Sequence, residues 1–176
     1  MVQPSATAVT PPRPLPVNDK RKVAPPRYDC IEQEAYLNLW RTYDRLRALE
    51  DALFSPFELT AQQYNILRLL RAARPDALAT LQLAQRLVSR APDITRMLDK
   101  LETRGWIERR RGQRDRRTVR VAITPAGLAL LQQIDKPLAE CHRRQLGHLS
   151  QQDLKQLTRL LKKARGPHEQ EQSQWR

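Results

Sequence analysis

The sequence predicts a mainly helical chain that carries one small β-hairpin, and three observations support this. Apolar residues recur at three- and four-residue spacing through six segments between Ile31 and Arg165. One stretch, Val119 to Ile123, instead alternates apolar and polar residues with period two. Helix-start signals stand where helical segments begin: Thr60-Ala-Gln-Gln63, Thr124-Pro125 and Ser150-Gln-Gln-Asp153.

Seven of the 13 prolines precede Tyr28, and Pro11-Pro12-Arg13-Pro14-Leu15-Pro16 lacks the amide donors that helix or sheet requires. Residues 1–28 are therefore expected to be a disordered, mildly basic arm whose Arg13, Lys20, Arg21 and Lys22 can add nonspecific phosphate contacts. The first helix carries Ile31, Ala35, Leu39, Thr42, Leu46, Leu49 and Leu53 on one stripe, widened by Tyr36, Trp40 and Tyr43, and should end near Ser55-Pro56. A second follows the Thr60 capping box, with Tyr64, Ile66, Leu67 and Leu70 inward and Arg68 and Arg71 outward, and stops at Arg74-Pro75-Asp76. Thr80 is the expected N-cap of a third, Leu81 to Val88, and Pro92 the expected first residue of a fourth, which buries Ile94, Met97, Leu98 and Leu101 and ends at Gly105. Trp106 to Arg110 and Val119 to Ile123 form the hairpin. A fifth helix begins at Thr124-Pro125 with a kink expected at Pro137, and a sixth runs from Ser150 to Gly166-Pro167. Residues 167–176 are read as a flexible tail.

A chain of 176 residues suffices for one domain with tails. Its 32 Lys+Arg against 19 Asp+Glu leave a formal charge of +13, a field that attracts polyanions: nucleic acid first, an anionic membrane second. No stretch approaches the roughly 20 apolar residues of a membrane span, and Met1 to Thr10 lacks a basic segment followed by an apolar one, so a cytoplasmic protein is expected. Cys30 and Cys141 form neither a disulfide framework nor a metal-binding pair, and His142 and His148 do not share a helical face well and are joined by no acid-histidine cluster, so neither metal nor cofactor is expected. With five glycines and no phosphate loop, nucleophile elbow or dinucleotide turn, the sequence argues against an enzyme.

Two short helices separated by a few residues, followed by a basic hairpin, have the order of a winged helix-turn-helix. The third helix would brace the fourth, which is then free to enter a major groove. DNA contacts are expected from Ser89, Arg90, Pro92, Asp93, Thr95, Arg96 and Lys100 in the fourth helix and its preceding turn, and from Arg110, Arg111, Arg114, Asp115, Arg116 and Arg117 in the wing. Arg109, Arg110, Arg111, Arg114, Arg116, Arg117 and Arg120 crowd around only two acids of the hairpin itself, Glu108 and Asp115. Each reading has a plainer counterpart: Arg96 and Lys100 as surface partners of Asp99 or Glu102, and Asp93 as an acid favoured by the helix dipole.

Leu59-Thr-Ala-Gln-Gln-Tyr64, the run Leu87 to Ile107, and Arg114-Asp-Arg-Arg-Thr-Val-Arg-Val-Ala-Ile-Thr-Pro-Ala-Gly127 together resemble successive signatures of MarR-type transcriptional regulators over about residues 31–165. The resemblance implies a winged helix-turn-helix, about 58–124, joined to dimerisation helices, about 29–54 and 125–166. It implies that Asp115 buttresses the wing through an ion pair and that Arg117 enters the minor groove. The chain departs from the pattern at Ala91-Pro92-Asp93, where many members carry small hydroxyl residues. The implied function is a homodimeric repressor on double-stranded DNA, released from a pseudo-palindromic operator by a small ligand or an oxidant. The alternative is a non-specific architectural DNA-binding protein. Trp40, Tyr43 and Tyr64 are candidates for an effector pocket, against their use as core, and Cys30 is the candidate redox thiol.

Overall fold

The structure, a computed structural model, describes residues 26–88, 93–111 and 118–169. The chain divides into two units, Met1–Asn38 and Leu39–Arg176. Helix α1, Ile31–Phe54, begins in the first and continues into the second. In the first unit Asp29 and Gln33 bond reciprocally: the Asp29 amide donates to Gln33 Oε1 (2.7 Å) and Gln33 Nε2 donates to Asp29 Oδ2 (3.1 Å). The Gln33 amide also reaches Cys30 Sγ at 3.4 Å. These contacts occupy donors that a helix start otherwise leaves unpaired.

The second unit is built around α2, Ala61–Ala72, whose Thr60 cap is the reciprocal box anticipated from the sequence: the Gln63 amide donates to Thr60 Oγ1 and the Thr60 amide to Gln63 Oε1. Ile66, Leu67 and Leu70 of α2 are fully enclosed, together with Phe54, Leu83, Leu98, Leu101, Val121, Leu131 and Ile134. Between Phe54 and Thr60 the chain makes a short 3-10 turn, Ser55–Phe57, and passes through Glu58 at φ 50°, a left-handed conformation that an L residue adopts at a cost.

A two-residue strand β1, Leu78–Ala79, precedes α3, Thr80–Arg86. Thr80 is therefore not the cap expected from its hydroxyl; Ala79 occupies that position, and its amide donates to Gln82 Oε1 (3.1 Å). Helix α4, Ile94–Thr103, starts two residues later than Pro92 suggested, because the side chain of Asp93 accepts from the Arg96 amide at 3.0 Å and takes the N-cap role. At its other end Gly105, φ 70°, lets the Gly105 amide reach Glu102 O (2.8 Å) and the Trp106 amide reach Leu101 O (3.1 Å), the paired bonds that close a helix C-terminus.

Strands β2, Ile107–Arg111, and β3, Val119–Ile123, pair antiparallel from Ile107↔Ile123 to Arg111↔Val119, and β1 joins the free edge of β3 through Leu78↔Val121, giving the order β1-β3-β2. Helix α5, Pro125–Leu146, is capped by Thr124, whose hydroxyl accepts from the Gly127 amide and donates to Gly105 O; α5 runs on through Pro137 without interruption. Helix α6, Gln151–Arg165, starts at the Ser150–Asp153 box.

Helices α1 and α6 differ from the others. Phe54 is the only fully buried residue of α1, and α6 has none, although both carry broad apolar stripes. On the second-unit part of α1, Leu39, Trp40 and Tyr43 are about half exposed or more, and Leu160 of α6 is 50% exposed. Leu39, Tyr43 and Leu160 therefore stay largely uncovered by the described elements of this unit.

Candidate nucleic-acid interface

Helix α4 rests on the core through Leu98 and Leu101, with Ile94 and Met97 partly enclosed. The opposite face turns Thr95, Arg96, Asp99 and Lys100 to solvent. Whether its cations are available depends on what its acids do. Asp99 and Glu102 lie one turn apart and both bind Arg109 of β2: Arg109 Nη2 is 2.7 Å from Asp99 Oδ1 and 2.5 Å from Glu102 Oε2. Glu102 Oε2 also accepts from Arg109 Nε at 2.8 Å, and its Oε1 accepts from the Arg109 amide at 3.0 Å. Hydrogen bonding to Arg109 accordingly holds the Glu102 carboxyl below the ordinary carboxylate range, and the same bonds raise the Arg109 guanidinium.

In this arrangement the acids considered as plain surface partners of Arg96 and Lys100 pair with Arg109 instead. With Asp99 and Glu102 engaged by Arg109, no acid among the described residues lies within ion-pair distance of Arg96 or Lys100. The arrangement also corrects the picture of a hairpin whose arginines meet only Glu108 and Asp115. Arg109 is neutralised from α4, a contact invisible in the hairpin's own sequence. Arg120 donates to Ala77 O at 3.2 Å, so it ties β3 to the residue before β1. Arg110 pairs with Glu108 at 2.7 Å while its side chain stays 75% exposed. Ser89, Arg90, Pro92, Arg114, Asp115, Arg116 and Arg117, with the side chain of Arg111, lie outside the described residues.

Arg104, at the C-cap of α4, pairs with Glu58 and sits over the Trp106 ring, 5.1 Å from its centroid, so the end of α4 is held to the turn before α2 and to the start of β2. A cleft of about 420 Å³ opens between the start of α3, α4 and the sheet, with Thr80, Leu81, Thr95, Leu98, Arg109 and Val119 on its wall.

The three aromatic residues considered for an effector pocket do not share a surroundings. Tyr64 is buried and stacks on Phe54 with ring centroids 5.0 Å apart, and burial raises its hydroxyl pKa. Trp40 and Tyr43 stand on the exposed stripe of α1, and none of the three lines the cleft. Cys30 is exposed, whereas Cys141 is buried on α5 with its thiol pKa raised first by desolvation and then by Glu50.

Residues 59–119 match the model of the MarR family. The chain is 34% identical to the HTH-type transcriptional regulator PecS of Dickeya dadantii (strain 3937) over 65% of its own length and 69% of that protein. The chain belongs to the MarR family of transcription regulators. Among solved structures, this MarR-family chain resembles a MarR transcription factor from Planctomyces limnophilus, with 55% identity and a TM-score of 0.62 over 77% of this chain and 98% of that one. It also resembles a mutant MarR from E. coli complexed with operator DNA, with 27% identity and a TM-score of 0.66 over 76% and 94% of the two chains. The mainly helical architecture with a winged helix-turn-helix, expected from the sequence, is thus the architecture of its relatives. No helix among the described residues is long and apolar enough to cross a membrane.

Proposed function

We propose that this protein is a sequence-specific DNA-binding transcriptional regulator that acts in the cytoplasm as a homodimer on a pseudo-palindromic operator, without catalysing a reaction. The observation that carries the reading is electrostatic. Helix α4 presents Arg96 and Lys100 without an acidic partner among the described residues, because Arg109 occupies the neighbouring carboxylates. Arg96 fits bidentate recognition of guanine, Thr95 an apolar contact with a thymine methyl, and Lys100 a phosphate. Ser89, Arg90 and Pro92 precede the helix, and Asp93 serves it as a cap. Arg110, Arg111, Arg114, Arg116 and Arg117 supply the wing, with Asp115 as buttress and Arg117 in the minor groove.

The uncovered apolar stripes of α1 and α6 support the dimer, since burying such surface is the main source of association energy. In this reading residues 58–124 read DNA while 29–54 and 125–166 dimerise, and residues 1–28 and 167–176 flank them. A pair of two-fold related α4 helices spaced about one DNA turn apart requires a pseudo-palindrome. Repression relieved by a small ligand or an oxidant rests on family membership.

Selection from random-sequence duplexes by the purified protein tests the proposal, followed by fluorescence anisotropy across a salt series. Convergence on an inverted repeat bound more than about a thousandfold tighter than bulk DNA is the expected result. Selection without convergence would instead establish a non-specific architectural binder, and no binding would remove DNA from the account. Arg117→Ala should weaken binding while leaving a folded dimer.

A further inference from the structure

We infer that Arg109 is a positioning residue for DNA binding: it clasps the wing to the recognition helix and keeps that helix's acids neutralised, without itself contacting DNA. The inference rests on the DNA-binding reading above.

The geometry is that of a fork held on both sides. The guanidinium places Nε and Nη2 on Glu102 Oε2 and shares Nη2 with Asp99, while the second oxygen of Glu102 takes the strand's own amide. One carboxylate therefore fixes both the backbone and the side chain of the same strand residue. Rotation of β2 about its axis breaks the side-chain bonds, and sliding along α4 breaks the amide bond. Arg109 is the middle of the five residue pairs of the β2–β3 ladder, facing Val121, and stands two residues before the strand ends at Arg111. The clasp thus fixes β2 two residues before its described end at Arg111, and in sequence Arg114, Arg116 and Arg117 follow that end.

The second consequence concerns charge. Asp99 is 54% exposed on the same helix face as Arg96 and Lys100. Without Arg109, two carboxylates would stand unbalanced beside a surface meant for phosphate, and their repulsion would oppose the cations next to them. An arginine suits this task better than a lysine, because its planar fork engages two acids at once. The Arg109 side chain is only 27% exposed, which fits an internal tie better than a group reaching for DNA.

A double-mutant cycle on the duplex selected by the wild-type protein tests the inference, with Arg109→Gln, Arg117→Ala and the pair measured by anisotropy across a salt series. Arg109→Gln should weaken binding by about tenfold, within the span of coupled neighbours, and leave the slope of log K against log salt unchanged. In the Arg117→Ala background the same change should cost about threefold rather than tenfold, because the repulsion from the freed acids persists while Arg117 is no longer there to be positioned. A slope reduced by about 0.9 would make Arg109 a direct phosphate contact and overturn the inference. So would a full tenfold loss that persists without Arg117, or no loss at all. If Arg109→Gln loses its helical circular-dichroism signal at the assay temperature, Glu102→Gln tests the positioning role alone: it keeps an oxygen for the Arg109 amide, but its NH2 cannot accept from Arg109 Nε and Nη2, so binding should weaken in the wild-type background and change little without Arg117. Failure of the wild-type protein to bind any duplex would instead defeat the DNA-binding reading itself.

Discussion

Replacing Gly127 by alanine sets helix propensity against packing. Gly127 lies in the first turn of α5, where alanine is ordinarily the better helix former by about 1 kcal/mol. Here a Cβ would run into the carbonyl oxygen of Trp106 and meet Ile123 Cγ1 at 2.8 Å. The carbonyl cannot simply withdraw, because it accepts from the Thr124 amide at 3.0 Å in the bond that joins the start of β2 to the start of α5. Overpacking costs about 1–3 kcal/mol and loss of that hydrogen bond about 1 kcal/mol. Against the propensity gain, the net destabilisation is about 2 kcal/mol. Equilibrium urea unfolding at fixed protein concentration should therefore show a midpoint about 1 M lower, for a slope of about 2 kcal/mol per M. Gly166→Ala provides the control: Gly166 has helical φ and ψ of −47° and open space where its Cβ would be, so its midpoint should hold or rise slightly. An unchanged or raised midpoint for Gly127→Ala would refute the packing argument.

Three further outcomes follow from the site. Asp93→Ala should cost about 1 kcal/mol of stability through loss of the cap, whereas Asp93→Asn keeps an acceptor for the Arg96 amide; a loss of site-specific binding in the asparagine variant, with stability intact, would give Asp93 a base contact beyond its cap. The Glu102 carboxyl is held low in the folded protein, so its contribution is complete above the unfolded carboxylate pKa and is lost as pH falls through the folded value; the urea midpoint should drop more steeply between about pH 5 and pH 3 in the wild type than in Glu102→Gln, and equal slopes would contradict the assignment. Alkylation followed by mass spectrometry should label exposed Cys30 in the native protein and Cys141 only after unfolding, with early labelling of Cys141 contradicting its burial.

Local signals were legible where one residue's chemistry decides the backbone. The Thr60–Gln63 and Ser150–Asp153 boxes, Thr124 before Pro125, and Gly105 closing α4 all act within four residues, and each was readable from spacing. Pro92 misled for the same local reason. It suits a first helical position, but Asp93 next to it can cap, and the cap takes the boundary. Strand β1 was missed because two residues have no periodicity; Leu78 becomes a strand only by meeting Val121. Counting charges along the hairpin likewise overlooked Asp99 and Glu102, which approach Arg109 from another element.

The order of the six helices and the hairpin, the cationic balance and the family signatures were determined by the sequence alone, since periodicity, capping and net charge are properties of neighbouring or summed residues. Which charges remain free for a partner was decided only by the tertiary structure. An ion pair forms across whatever elements the core brings within a few ångströms, and packing α4 on β2 commits Arg109 to two acids while leaving Arg96 and Lys100 facing outward. The same holds for apolar surface: the stripe on α1 is written in its spacing, but that Leu39 and Tyr43 stay largely exposed follows only from where the other helices of that unit lie.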